Sequence, residues 1–252
     1  MIIACRLATY GKYQERAWTH LPEIGIHHVE IKVPSPDAVG ATLERLRAHE
    51  LKASSCQGAC DIADEGVVDS MAPQLDACAA LGSSILFLSV HAGETDRALV
   101  WERLRAIGDQ AETRAVTAVL ETHPDLAVNG DVARRTMEAV DHPNIKINFD
   151  TANVYYYNHD VTAHGELAKV ISYVAAIHLK DTTGGFKTWD FPALGQGVVD
   201  FPRVFQVLRD AGFDGPCAME LEGTKDLVRD EAATLEYVAD SVAYLRKIGI
   251  LP

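Results

Sequence analysis

The sequence has no apolar run approaching the roughly 18–20 residues that a membrane-spanning helix requires, and it is short of positive charge. Its 23 Lys and Arg residues stand against 36 Asp and Glu, a formal net charge of −13 over 252 residues. Such a chain repels a phosphate backbone, and no Lys/Arg-dense stripe reverses the sign locally, so neither nucleic acid nor a membrane is an expected partner. The N-terminus lacks the basic, apolar and small-residue order of a signal peptide, which leads to the expectation of a cytoplasmic protein. Cysteine is sparse: Cys5, Cys56, Cys60, Cys78 and Cys217 are odd in number, scattered, and without zinc-knuckle spacing, as suits reduced thiols. Low-complexity blocks are missing too, and a composition of 48% hydrophobic and 23% charged residues describes a packed chain rather than a disordered one.

What the sequence does have is alternation. Short apolar runs at Ile2–Leu7, His28–Val33, Lys52–Gln57, Ile85–His91, Thr117–Thr122, Ile145–Asp150, Val174–Leu179 and Pro216–Leu221 predict eight strands. Between and after them, helical periodicity covers Gln14–Ile24, Ala38–His49, Val67–Leu81, Asp96–Arg114, Val132–Ala139, Glu166–Ser172, Phe201–Ala211 and Glu231–Lys247, with Gly25, Gly82 and Gly212 where helices end. Eight βα units with no composition shift predict an α/β fold over residues 1–252, a single (β/α)8 TIM barrel. A doubly wound open sheet uses the same alternation but carries a glycine-rich turn after its first strand, where this chain has Ala8-Thr9-Tyr10-Gly11. Gly195-Gln196-Gly197 follows a long loop rather than a strand and is a poor nucleotide signal.

Side chains on a barrel strand alternate between interior and helix layer, and catalytic groups gather at the carboxyl ends. In Cys217-Ala218-Met219-Glu220-Leu221-Glu222 the apolar Cys217, Met219 and Leu221 share one parity and the two glutamates the other. The same reading places Asp150 and His178 inward, and Glu121 at the top of its strand with Thr117 and Val119. Four successive strands thus end in Glu121, Asp150, His178 and Glu220. Three carboxylates and one imidazole at one mouth repel unless protonated, hydrogen-bonded or bridged by a cation. Oxygen-rich ligation with one nitrogen suits Mn²⁺, Mg²⁺ or Co²⁺, and Zn²⁺ also accepts such ligands.

These residues carry a resemblance spanning almost the whole chain. Leu120-Glu121-Thr122-His123, Phe149-Asp150-Thr151-Ala152-Asn153, Ile177-His178-Leu179-Lys180-Asp181, Gly195-Gln196-Gly197-Val198-Val199-Asp200-Phe201 and Met219-Glu220-Leu221-Glu222 resemble the xylose isomerase-like TIM barrel superfamily, in its sugar phosphate isomerase/epimerase branch. The resemblance implies one metal held by Glu121, Asp150, His178 and Glu220, and Glu121 and Glu220 as the acid/base pair exchanging a substrate proton. Several ketose epimerases have His where this chain has Asn153, and an Arg shortly after the metal-binding His, whereas none lies here between His178 and Arg203. His178-Leu179-Lys180-Asp181 instead resembles the inosose isomerase and dehydratase side.

The implied chemistry removes a proton from carbon beside a carbonyl, giving an enediolate on a small sugar or cyclic polyol. Epimerisation, isomerisation and loss of a β-hydroxyl all start from that species, so isomerase/epimerase is the first reading and dehydratase the alternative. A substrate-facing place is expected for His91 at the end of the fourth strand, and for Asn153, Lys180 and Glu222. Glu30 and Lys32, with Arg6, either line the pocket or neutralise one another inside the barrel. The Asp181–Gln196 segment, with Gly184-Gly185, Trp189 and Phe191, reads as a lid or as a contact of a homo-oligomer, and Tyr155-Tyr156-Tyr157 as an apolar wall. His20, His27, His49, His142, His159 and His164 are expected at the surface. Two rival readings are an endonuclease IV-type phosphodiesterase, which needs more metal ligands than are found, and a ligand-binding barrel without catalysis.

Overall fold

Short polar side chains start five of the nine α-helices where the apolar periodicity begins. Asp96 accepts hydrogen bonds from the amides of Ala98 and Leu99, and Asp200 from that of Arg203, satisfying donors that the first turn leaves free. Helix α8 (Phe201–Asp210) then buries Phe201, Val204, Phe205 and Leu208, the i, i+3, i+4, i+7 stripe that packs a helix onto a sheet. Its chain reverses at Gly212, whose φ of +67° a side chain would resist. Asp96 thus starts α4 (Arg97–Glu112), and Asn129, Thr162 and Asp230 cap α5 (Gly130–Val140), α7 (Ala163–Val170) and α9 (Glu231–Lys247) in the same way. By contrast, α1 (Gln14–Glu23), α2 (Val39–Ala48), α3 (Val67–Ala80) and the short α6 (Asn153–Tyr157) begin without a side-chain cap. None of the nine is long and apolar enough to cross a membrane.

The computed structural model describes residues 1–252. Strands β1 (Ile2–Arg6), β2 (His28–Lys32), β3 (Lys52–Gln57), β4 (Ile85–Leu88), β5 (Thr117–Glu121), β6 (Ile145–Asp150), β7 (Val174–Leu179) and β9 (Pro216–Met219) pair in parallel in that order, and β9 closes on β1. This is the closed eight-stranded barrel that the alternation predicts. β8 (Asp190–Phe191) and β10 (Gly223–Thr224) form a small antiparallel pair that ties together the loops following β7 and β9.

The apolar core divides in two. A large cluster of 58 buried residues lies mostly between strands and helices, while the barrel interior holds a small one of Ile85, Phe87, Val119 and Ala176. So small an apolar plug leaves the upper interior to polar side chains. All five cysteines are unpaired. Two expectations fail here. The fourth strand stops at Leu88, so His91 does not end it. His20 is not a surface residue: it is buried on α1 with its Nδ1 2.7 Å from the Tyr10 hydroxyl.

Candidate active site

Strand register assembles the site. Glu121 pairs with Asn148, Asp150 with His178, and Leu179 with Met219, so the ends of β5, β6, β7 and β9 reach matching depth. The ligand atoms of Glu121, Asp150, His178 and Glu220 lie within 4.8 Å of one another, and all four residues are buried. His178 Nδ1 stands between Glu121 Oε1 and Glu220 Oε2, 3.3 Å from each, and 3.9 Å from Asp150 Oδ2.

Each member is aimed by something behind it. Asp150 Oδ1 accepts from the amides of Ala152 and Asn153, which turns Oδ2 toward the cluster. Glu30, beneath the cluster, has both oxygens 3.2 Å from His178 Nε2 and accepts from Ser55 Oγ at 2.8 Å. That carboxylate holds the Nε2 proton and points Nδ1 inward, as the carboxylate partners of metal-ligating histidines do. His123 Nδ1 lies 2.9 Å from Glu121 Oε2 and 2.7 Å from Ser89 Oγ, fixing the outer carboxylate oxygen. Arg6 pairs with Glu220 and lies 3.4 Å from Glu30. Lys180 Nζ sits 2.8 Å from Glu220 Oε2, 2.8 Å from Glu222 Oε2 and 3.1 Å from Asp150 Oδ2.

The charges do not balance. Glu30, Glu121, Asp150, Glu220 and Glu222 face only two permanent cations, Arg6 and Lys180. Burial disfavours charge on His178, yet Glu30 and Glu121 outweigh it and push the imidazole up to about 9. Burial likewise works against the Glu121 carboxylate, but His123 and His178 hold it well below the usual carboxylate range. Lys180 is fully buried, and Asp150 and Glu222 overcome that burial to raise it to about 12. A proton on His178 and a divalent cation are alternative ways of balancing the same carboxylates. Two buried atoms favour the cation: His178 Nδ1 and Asp150 Oδ2 make no aligned hydrogen bond, Nδ1 having only carboxylate oxygens around it and Oδ2 only the Lys180 ion pair. The donor set, three carboxylates and one imidazole, fits a divalent metal ion.

Above the cluster lies a cavity of about 200 Å³, lined by Arg6, Ser89, Glu121, His123, Asn153, Tyr156, Tyr157, Lys180, Trp189, Phe191, Glu220 and Glu222 among others. The expected Arg6, Asn153, Lys180, Trp189 and Glu222 are therefore brought together with Glu121 and Glu220. Glu30 lies below, supporting His178 rather than facing the cavity, and Lys32 is exposed away from it. His91 is exposed, outside the cavity lining, and bound through Nδ1 to the Pro124 carbonyl, because the chain leaves the barrel after Leu88. His123, which was not singled out, takes the place beside Ser89. Its signal was present: it continues the inward parity of Val119 and Glu121. Of the three tyrosines expected as a wall, Tyr156 and Tyr157 line the cavity from the short helix α6, whereas Tyr155 packs against the apolar core and its hydroxyl accepts from the Ala163 amide. Asp181 accepts from the amides of Thr182, Gly195, Gly197 and Val199, so the two glycines anchor the Asp181–Gln196 loop.

A family profile described as xylose isomerase-like TIM barrel matches residues 19–248. The chain belongs to this family. Among curated proteins, it is 36% identical over 104 residues to an L-ribulose-5-phosphate 3-epimerase of Escherichia coli, a match covering 40% of this chain and 34% of that enzyme. The match thus spans about a third of the length of such relatives. Among solved structures, D-psicose 3-epimerase of Clostridium cellulolyticum superposes with a TM-score of 0.79 at 15% identity over the full length of both chains. A protein of Bacillus anthracis described as the probable 3-DHS dehydratase AsbF gives 0.78 at 15% identity, covering 98% of this chain and 99% of that one. At such identities these two show the shared fold.

Proposed function

We propose that this xylose isomerase-like barrel is a cytoplasmic, divalent-metal-dependent isomerase or epimerase of a small sugar or cyclic polyol. The observation that carries this reading is the placement of Glu121 and Glu220, which come from separate strands, line one cavity of monosaccharide scale, and flank His178 Nδ1 at equal distance. The partial match to an epimerase of a ketose phosphate supports it. Glu121, Asp150, His178 and Glu220 would hold the metal, with Mn²⁺, Mg²⁺ or Co²⁺ preferred for the oxygen-rich set and Zn²⁺ accepted. When bound, such an ion polarises a substrate carbonyl and stabilises negative charge on its oxygen.

The chain's own residues do the rest. One of Glu121 and Glu220 takes the proton from the carbon beside the carbonyl, and the other returns a proton from the opposite face to the same carbon. Isomerisation instead returns a proton to the former carbonyl carbon while the hydroxyl proton passes to the former carbonyl oxygen. His123 keeps Glu121 oriented throughout. The Lys180 ammonium, shared among Asp150, Glu220 and Glu222, keeps those carboxylates ionised and in place, while Tyr156, Tyr157, Trp189 and Phe191 exclude water from the ring. Dehydration is the second reading, supported by one feature: the buried Lys180 ammonium lines the cavity and offers positive charge beside a departing β-hydroxyl.

The test measures bound metal by plasma mass spectrometry and solvent-deuterium incorporation into ketoses and inososes, in wild type, Glu121→Gln and Glu220→Gln. About one metal per wild-type chain, with exchange falling by about 10²–10⁴ in either variant, is expected of general acid–base catalysis. Wild-type exchange rates in both variants would remove the glutamates from the reaction.

A further inference from the structure

The cavity does not stop at the ligand cluster. A second, of about 330 Å³, shares Arg6, Trp189, Glu220 and Glu222 with it. A third, of about 370 Å³, shares Thr9, Gly11, Leu221 and Glu222 with the second. Sharing walls in this way, the three lie side by side in a row from the ligand cluster outward, with the residues after β1 (Thr9, Gly11) and after β9 (Leu221, Glu222) lining its outer two parts. Gly11 lines both outer parts in a left-handed conformation (φ +53°) with nothing near its missing side chain, which keeps them open. A small free polyol fills the inner cavity alone and leaves the rest unused.

The outer end has its own chemistry. Leu227 and Val228 stand 56% and 84% exposed there, beside Tyr13 and Tyr237. The Arg229 guanidinium lies 3.9 Å over the Tyr237 ring and has neither a carboxylate nor a hydrogen-bond acceptor from the protein, and Lys12 Nζ lies 5.0 Å over Tyr13. Apolar walls next to idle donors match a ring with apolar faces and hydroxyl edges. A free anion fits less well, because Glu222 lines all three parts.

We infer that the substrate carries a second, neutral ring: its hydroxy-carbonyl unit lies at Glu121 and Glu220, and a glycosyl unit rests against Leu227 and Val228 with hydroxyls toward Arg229 and Lys12. This rests on the proposed reading of the inner cavity as the reacting site. Proton exchange needs a free carbonyl on the inner unit, so the linkage runs through a hydroxyl remote from it. The reducing unit lies inside and the non-reducing ring outside.

Trp189 lines the inner and middle parts, so its fluorescence reports binding without turnover. Mn²⁺-loaded wild type, Val228→Glu and Arg229→Met are titrated with fructose, with 6-O-glucosyl-fructose and with fructose 6-phosphate. A glucosyl preference of about tenfold or more over fructose in wild type, worth about 1.4 kcal/mol, and its loss in both variants, supports the inference. Equal affinity for the two sugars overturns it. So does a gain from the phosphate matching that from the glucosyl group, which would make the outer end an anion site. Deuterium exchange in the same samples separates the two claims. Preferential binding without exchange defeats the proposed reaction and leaves the outer site intact, whereas exchange without preference does the reverse.

Discussion

The two halves of the barrel hold the same fold to different ends. Strands β5, β6, β7 and β9 deliver Glu121, Asp150, His178 and, just past the last strand, Glu220 to the mouth. Strands β1 to β4 send inward Arg6, Glu30, Ser55 and Phe87, none of them in the ligand cluster. Yet each of these touches the other half or a residue that does: Arg6 reaches Glu220, Ser55 holds Glu30, Glu30 holds His178, and the Phe87 ring packs edge-on to His178 at 4.7 Å. One half supplies the four cluster side chains; the other orients two of them, His178 through Glu30 and Phe87 and Glu220 through Arg6. Glu121 and Asp150 are aimed from within their own half by His123 and the Ala152 and Asn153 amides.

The largest effect that tests this division is on turnover. Glu220→Gln in the ligand half should cost about 10²–10⁴ in kcat with the fold retained. Ser55→Ala, in the supporting half and two hydrogen bonds removed from Nδ1, should cost far less. Steady-state kinetics of the two side by side, with circular dichroism as the check on folding, decides it, and comparable losses would abolish the distinction between the halves.

A smaller effect is expected from Glu30. If its carboxylate fixes the His178 tautomer, Glu30→Gln should weaken metal binding about 10–100-fold, the usual cost of losing such a partner. Competition against a chelator of known affinity measures this. Unchanged affinity would mean that Glu30 serves only to neutralise Arg6.

How much of this was legible in the sequence follows from where each residue sits. The convergence of Glu121, Asp150, His178 and Glu220 is legible because strand parity is strict and places all four inward at neighbouring strand ends. The same rule misplaced His91, because parity says nothing once a strand has stopped, and β4 stops three residues earlier. His123 obeys the same parity, but it lies two residues beyond the end of β5, where parity alone does not fix a side chain's direction. Glu30 could be read as cavity lining or as charge compensation, since an inward acid looks alike on paper whether it faces substrate or another ligand. β8 and β10, two residues each, carry no periodicity at all, and they pair only because the loops bearing Trp189 and Glu222 meet over the cavity.

His20 offers the finest test, because it lies in the supporting half and was expected in water. It sits on α1, packed toward the Leu7–Tyr13 turn that follows β1, with its Nδ1 against the Tyr10 hydroxyl. Burial disfavours the imidazolium and lowers its titration below the ordinary value. A group so lowered stabilises the fold in full above its unfolded value of about 6.5, and that contribution is lost as the pH falls through the lower folded value. His20→Gln can keep a hydrogen bond to Tyr10 but cannot titrate. Wild type should therefore lose stability relative to this variant between pH 7 and pH 5, by no more than about 1.4 kcal/mol per pH unit, the limit for one proton. Urea unfolding at several pH values isolates the difference, since every other group titrates alike in both. If the two stability curves run parallel, His20 takes up its proton as freely as a surface histidine, and the Tyr10 contact holds no neutral imidazole in place.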